Sequence, residues 1–423
     1  MRRTATAFIL LAAGIGTASQ VFAQNGPVPE QASPSPQPRR GGGIGLPSIG
    51  FSISFGGKRK KSPPREQPDA PLPEIVDGQL IFTFRGTVAD AAAAATRAGL
   101  SVVELWPLDS IDAVMVTASL TAPDTIQTGE WRLRRLRGVL AVQPNQMFQV
   151  MARSGRLPDR FALHGVPTKR VPATTTIAMI DTPVAVNHET LRGTTISETA
   201  RDVVRLPGVH GTAVASLIVG QGAVPGSAQG AQLLNFAAFS ETANGRATSQ
   251  TRFLAKALND AARARPNVLV LAWGGKSDPL LASLIATLSG HGTCVVAAAG
   301  NDGPNAAVSF PATMPQVLAV TAVDSGLRPY RFASRGMQIG VSAAGVDLLT
   351  AVPAGYRPMS GTSFAAAFAG GVISRMEECA SAHNPAAMQR RVAAQARDLG
   401  TKGSDPVFGA GLLMLAQNSF AAD

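Results

Sequence analysis

Four short segments of this 423-residue chain carry side chains that can do chemistry together. Ile177-Ala178-Met179-Ile180-Asp181 is an apolar run that ends abruptly in a carboxylate. A buried carboxylate is costly without hydrogen-bonding partners, and an imidazole N–H is a suitable one. His210 opens the small-residue run Gly211-Thr212-Ala213-Val214-Ala215-Ser216, which reads as a helix packed closely in a core. Ala297-Ala298-Ala299-Gly300 leads into Asn301, whose amide can donate to an oxygen that gains negative charge. One such donor is worth about 3–4 kcal/mol in a transition state. Ser360-Gly361-Thr362 precedes Ser363, which starts an Ala/Gly-rich helix. Its backbone N–H then points outward and supplies a second donor. Singly, each feature is ordinary: Ser363 is a good N-cap and Asn301 a turn residue. His164, His188, His291 and His383 read as structural histidines. Together, the carboxylate, imidazole, amide and hydroxyl make a far stronger signal than any one of them.

The elements that must position these residues alternate. Strands are expected at 175–180, 232–237, 268–271, 293–297 and 317–323, and helices at 211–219, 249–265, 279–289 and 363–380. Near-continuous apolar strands alternating with helices imply an α/β, doubly wound, mainly parallel sheet covered on both faces. All four segments fall at strand C-termini or helix N-termini, the edge where such sheets bind ligands. Upstream, 75–150 reads as strand, helix, strand, strand, helix, strand, with Gly99 and Gly138 closing the helices. That βαββαβ order is ferredoxin-like.

The N-terminus reads differently. Arg2-Arg3, the apolar run 8–16 and Val21-Phe22-Ala23 have the layout of a signal peptide cut after Ala23, which implies a secreted or periplasmic protein. Residues 24–74 hold 11 of the 30 prolines and the basic run 58–61, and read as a linker. The mildly apolar patch 44–55 leaves docking as an alternative. No later stretch is long and apolar enough for a membrane span. The net charge of +11 is scattered apart from 58–61 and the group Arg132, Arg134, Arg135 and Arg137, with no interleaved aromatics. It reads as a solvated surface, and no nucleic-acid partner is expected.

The four segments, in the order Asp181, His210, Asn301, Ser363, resemble the motifs of the subtilisin-like (subtilase) serine peptidases over about residues 160–415. The resemblance implies a catalytic triad of Asp181, His210 and Ser363, with Asn301 in the oxyanion hole. It implies that Ala272, Trp273 and Gly274 form a substrate-pairing wall, with Ala298, Ala299 and Gly300 opposite. The Trp273 wall points to an apolar P1 side chain. Residues 75–150, ending in Val139-Leu140-Ala141-Val142-Gln143-Pro144-Asn145, are similar to the family's inhibitor-like propeptide. That similarity implies a zymogen whose own propeptide binds in cis and is self-cleaved between Met151 and Pro158, leaving 151–423 as the catalytic domain. An accessory domain that stays attached is the alternative. Substrates would be proteins or peptides. Structural calcium is common in the family, but no acidic cluster here can be numbered as a metal site, and no other cofactor is expected.

Departures from the pattern are Pro183 for a glycine, Phe364 for methionine, Ala367 and Ala344 for prolines, and Ala272 for serine. None removes a catalytic group. Pro183 has no N–H to offer the Asp181 carboxylate, which keeps a silent binding or regulatory protein as an alternative. An esterase or acyltransferase is another, since a triad is not confined to peptides. Cys294 lies about 23 Å down its strand from Asn301, and Cys379 about 24 Å down its helix from Ser363. Equal depth does not fix lateral distance, so two unpaired thiols are expected, with a disulfide as the alternative.

Overall fold

The computed structural model describes residues 74–150, 153–154, 164–166, 169–200, 206–242, 246–380 and 383–415. The expected signal peptide, the expected linker apart from Glu74, and the basic run 58–61 lie outside the described residues.

The first elements follow the expected order: strand Ile75–Phe84, helix Val88–Arg97, strand Ser101–Leu108, strand Ala113–Ser119, helix Ile126–Leu133 and strand Val139–Val150. The strands pair antiparallel, with the second and fourth at the two sides of the third and first. Thr87 and Asp90 form a capping box at the first helix, satisfying two otherwise orphaned backbone donors. Leu80, Phe82 and Phe84 on one strand face meet Ala91, Ala94 and Ala95 of that helix. The second helix starts after Thr125, whose side chain accepts from the Thr128 N–H, and ends at Leu133. Three arginines of the basic group are engaged on the unit itself. Arg132 binds Asp124 through both guanidinium nitrogens, Arg134 donates to the Val142 carbonyl, and Arg135 lies over the Trp131 ring.

The main sheet is parallel and seven-stranded. Its order is Ile339–Ala344, Val317–Val323, Cys294–Ala298, Val268–Leu271, Thr176–Asp181, Gln232–Ala237 and Thr195–Ala200. The two edge strands were not expected from the sequence; Thr195–Ala200 (TISETA) is polar and lacks the apolar run of its neighbours. Side chains alternate between two cores. Ile177, Met179, Val268 and Val270 pack with helices Val209–Val219 and Thr362–Ile373. Ala178, Ile180, Leu269 and Leu271 pack with helices Thr251–Ala264 and Pro279–Gly290. Gly370 lets the Ser363 helix approach the sheet, since a Cβ there would stand 2.4 Å from Val270 Cγ2.

Three expectations are corrected. The helix expected from 249 begins at Thr251, because Ser249 and Gln250 belong to the strand Ala247–Gln250. The helix expected over 363–380 stops at Ile373 and resumes as Glu377–Ala380; the Ser374 hydroxyl bonds back to the Gly371 carbonyl and Arg375 turns to the Ser227 carbonyl. Cys294 and Cys379 are not separate thiols but a disulfide, with Cα atoms 5.9 Å apart. Asn267 closes the lateral gap: its carbonyl accepts the Cys294 N–H, and its amide donates to the carbonyls of Cys379 and Ala380.

The bridge spans 85 residues, so on loop entropy its loss costs about 4–5 kcal/mol. The paired Cys294→Ser, Cys379→Ser variant should therefore melt well below the oxidised protein in calorimetry. His164 gives a pH signature. Its Nδ1–H donates to the Leu413 carbonyl and its Nε2 accepts the Ala344 N–H, and burial pushes its pKa down to about 4. The unfolded ring takes a proton below about pH 6.5, whereas the folded one resists until about pH 4. The neutral ring's contribution, about 3 kcal/mol, is thus whole above pH 6.5 and lost as pH falls from there to 4. Denaturant titrations across that window should show the loss, and His164→Gln should flatten it.

Candidate active site

Asp181 is the last residue of its strand and is fully buried. Among the described residues its carboxylate has two partners. The Thr182 N–H donates to Oδ1 at 2.7 Å, and His210 Nδ1 lies 2.9 Å from both oxygens. His210 is the second residue of helix Val209–Val219. The start of that helix is fastened to the Asp181 turn by the Gly211 N–H, which donates to the Thr182 hydroxyl at 2.9 Å. Only glycine fits there: a Cβ on Gly211 would stand 2.3 Å from the Thr182 carbonyl oxygen. With Nδ1–H turned to the carboxylate, the neutral ring keeps its lone pair at Nε2. Nε2 is buried and has no hydrogen-bond partner among the described residues.

Ser363 is the second residue of helix Thr362–Ile373, and the Phe364 ring lies 5.6 Å from the His210 ring. The serine hydroxyl donates to the Ala272 carbonyl at 2.7 Å. Asn301 is held by Thr362, whose N–H and hydroxyl both donate to its Oδ1 at 3.1 and 3.0 Å. Those two bonds fix the amide, so its nitrogen faces away from Thr362 and is buried without a partner among the described residues. The imidazole Nε2 and the Asn301 NH2 are thus two buried polar groups whose hydrogen-bonding capacity is not used by the described residues.

The chain's own backbone pairs with the segments beside this site. Strand Val139–Val150 runs on from the N-terminal sheet. Met147, Phe148 and Gln149 pair antiparallel with Gln250, Ser249 and Thr248, while Gln149 and Val150 pair with Gly274 and Trp273. Phe148 is buried against Trp273, with ring centroids 5.5 Å apart, and against Phe310. Gly275 leaves room for its ring. Arg153 and Ser154 then pair with Ser360 and Met359, just before Ser363.

The structure therefore brings Asp181, His210, Asn301, Ser363 and Ala272 together, and it pairs Trp273 and Gly274 with an extended strand. Ala298, Ala299 and Gly300 are buried, with the Ala299 backbone bonded to Val320 and Ser309. Gly300 sits at φ +117°, where a Cβ would meet the hydroxyls of Ser334 and Ser309. Sequence reasoning missed Thr182 and Thr362, although each adjoins a residue it found. It also missed the second pairing strand, Ala247–Gln250, whose four residues merge with the following helix. Among the described residues no group of three or more His, Cys, Asp or Glu side chains converges on a metal position, and no helix is long and apolar enough to cross a membrane.

The model of the Subtilase family matches residues 173–411, more than half of the chain. The minor extracellular protease Epr of Bacillus subtilis is 29% identical over 210 residues, covering 48% of this chain and 32% of that protein. An extracellular protease of Xanthomonas campestris pv. campestris is 33% identical over 138 residues, covering 30% of this chain and 24% of that protein. The chain thus spans about a third or less of these relatives' lengths. Fervidolysin from Fervidobacterium pennivorans, a keratinolytic enzyme related to subtilisin, shares the fold with a TM-score of 0.68 at 21% identity, over 81% of this chain and 60% of its own. The protease domain of PatA, solved in a mutant form, has a TM-score of 0.52 at 26% identity, over 58% of this chain and 94% of its own. On its sheet, its four motifs and the match over residues 173–411, the chain belongs to the subtilase family.

Proposed function

We propose that the chain is a serine endopeptidase that processes itself and is then active on other proteins or peptides. The observation that carries this reading is the buried His210–Asp181 bond beside a helix-start serine and the unpartnered amide of Asn301. In the proposed reaction the Ser363 hydroxyl leaves the Ala272 carbonyl and gives its proton to His210 Nε2. Its oxygen attacks the scissile carbonyl. Asp181 holds the ring and stabilises the imidazolium. The Asn301 amide and the Ser363 N–H receive the oxyanion. His210 returns the proton to the leaving amine, and water repeats the sequence to release the acyl group.

Self-processing is supported by the strand beside the site. The chain is paired with Trp273 at Val150 and, at Arg153, with Ser360, which stands three residues before Ser363. We place the cleaved bond between Val150 and Arg153; Met151 and Ala152 lie outside the described residues, as does most of the interval to Pro158. Cutting there would separate 75–150, read as an inhibitor-like propeptide, from the catalytic domain that begins near 151. Secretion to the medium or periplasm is supported by the Arg2-to-Ala23 layout, by the disulfide, which suits an oxidising compartment, and by relatives named as extracellular.

Mass spectrometry of the purified wild type beside Ser363→Ala tests the processing. The wild type should show a new N-terminus between 151 and 153, and the variant should keep the uncut chain. The same N-terminus in both would sink self-cleavage. A fluorophosphonate probe should label wild-type Ser363 and leave His210→Ala unlabelled; a wild type that neither labels nor cuts casein is a silent binding protein instead. Casein against short esters separates a peptidase from an esterase. Asn301→Ala should lower kcat about 10²–10³-fold, with KM within about twofold, on a peptide anilide.

A further inference from the structure

Pro183 has no N–H, so the turn after Asp181 lacks one donor that could serve the buried carboxylate. The backbone on both sides of Pro183 is nonetheless held by side chains. The Thr182 carbonyl accepts from Asn235 Nδ2 at 3.1 Å, and the Val184 N–H donates to Glu198 Oε2 at 2.8 Å. Asn235 Nδ2 also donates to that same Glu198 oxygen at 2.9 Å. Both of its partners are acceptors, so the nitrogen rather than the oxygen of the amide must face them. Glu198 and Asn235 stand opposite each other on neighbouring parallel strands. Asn235 is 1% exposed, so its amide has little freedom to do anything else. The Pro183 carbonyl accepts the Gly208 N–H at 2.8 Å, two residues before His210. Glu198 lies on the polar edge strand and belongs to none of the four motifs.

We infer that Glu198, acting through Asn235 and the Val184 N–H, is a positioning residue for Asp181, clamping the turn that Pro183 leaves short of a donor. The inference rests on the reading of Asp181 as the group that orients His210. A locked turn keeps the Thr182 N–H aimed at Asp181 Oδ1 and keeps the carboxylate square to Nδ1. A loosened turn lets the imidazole drift from the serine, which harms the chemical step more than substrate binding.

The experiment compares Glu198→Ala and Glu198→Gln, each with Pro183 and with Pro183→Gly, on a peptide anilide. Glu198→Ala should lower kcat about tenfold with KM within about twofold, while its melting temperature stays within a few degrees. Glu198→Gln keeps an acceptor oxygen and should hold kcat within about twofold of wild type. Pro183→Gly supplies the missing N–H, so the Glu198→Ala loss should shrink below about threefold in that background. Full kcat in Glu198→Ala overturns the inference, and so does an equal loss in both backgrounds. If Pro183→Gly does not fold, the Glu198→Ala and Glu198→Gln pair still decides: equal losses in the two point to bulk stability or charge and overturn the clamp. The low-field proton resonance of His210 Nδ1 should broaden or move upfield in Glu198→Ala and stay put in Glu198→Gln. That signal reads the clamp even in a protein without peptidase activity. An inactive wild type with the expected shifts refutes the proposed function alone; an active wild type with an unmoved signal refutes the clamp alone.

Discussion

A carboxylate without solvent is the constraint around which this site is built. Asp181 is fully buried at the end of a central strand, where an unpaired charge would cost several kcal/mol. It is tolerated because the next residue's N–H and the His210 ring both turn to it. Every nearby choice follows from keeping those two donors in place. Gly211 brings the histidine helix close enough for the Thr182 hydroxyl to take its N–H, and Asn235 and Glu198 hold the turn from the other side. The carboxylate thereby fixes which nitrogen of the imidazole carries the proton.

The same logic runs through the serine side. Helix starts leave backbone donors free, and the helix of Ser363 is drawn in by glycines that face the sheet and the Ser227 loop. Thr362 turns both of its donors to Asn301 Oδ1, so the amide nitrogen is left for something else. The stability given up at Asn301 Nδ2 and His210 Nε2 is recovered in the two apolar cores on either side of the sheet. Each strand residue serves one core or the other, so the sheet that carries the site is also its rigid support.

How much of this was legible follows from what each signal physically is. The buried strands were readable because parallel strands covered on both faces are almost continuously apolar, as in Val268–Leu271. Asp181, His210, Asn301 and Ser363 were readable because polar groups stand at the ends of such runs. The edge strand Thr195–Ala200 was not, since half of it faces solvent and its composition is that of a loop. Ala247–Gln250 was hidden because four residues carry too little periodicity to stand apart from the helix that follows. The disulfide was missed for a different reason. Depth along a strand and along a helix can be counted from sequence, but the lateral closure depends on the break at Ile373 and on Asn267, which no periodicity announces. Glu198 was invisible for the same reason, because its partners lie on a neighbouring strand and in the turn after Asp181.

The strand paired beside the site ties these layers together. The strand Val139–Val150 is at once the edge of the N-terminal sheet and the middle strand between Ala247–Gln250 and Trp273–Gly274. Its binding side groups are neutral amides: the Leu280 N–H donates to Gln143 Oε1, and Asn145 Nδ2 donates to Gln250 Oε1. Asp278, which caps the neighbouring helix, has its carboxyl pushed up by burial at this seam. Charge enters at the flank, where Glu104 of the N-terminal unit meets Lys256, which is buried over the Trp106 ring. Main-chain pairing is indifferent to sequence, so specificity for this one strand must come from such side-chain contacts and from Phe148 in its pocket. In the continuous chain these contacts form within one molecule at high effective concentration. If the proposed cut were made, the same contacts would act between two pieces and become subject to dilution, so one set of interactions would serve folding around the strand first and its departure later.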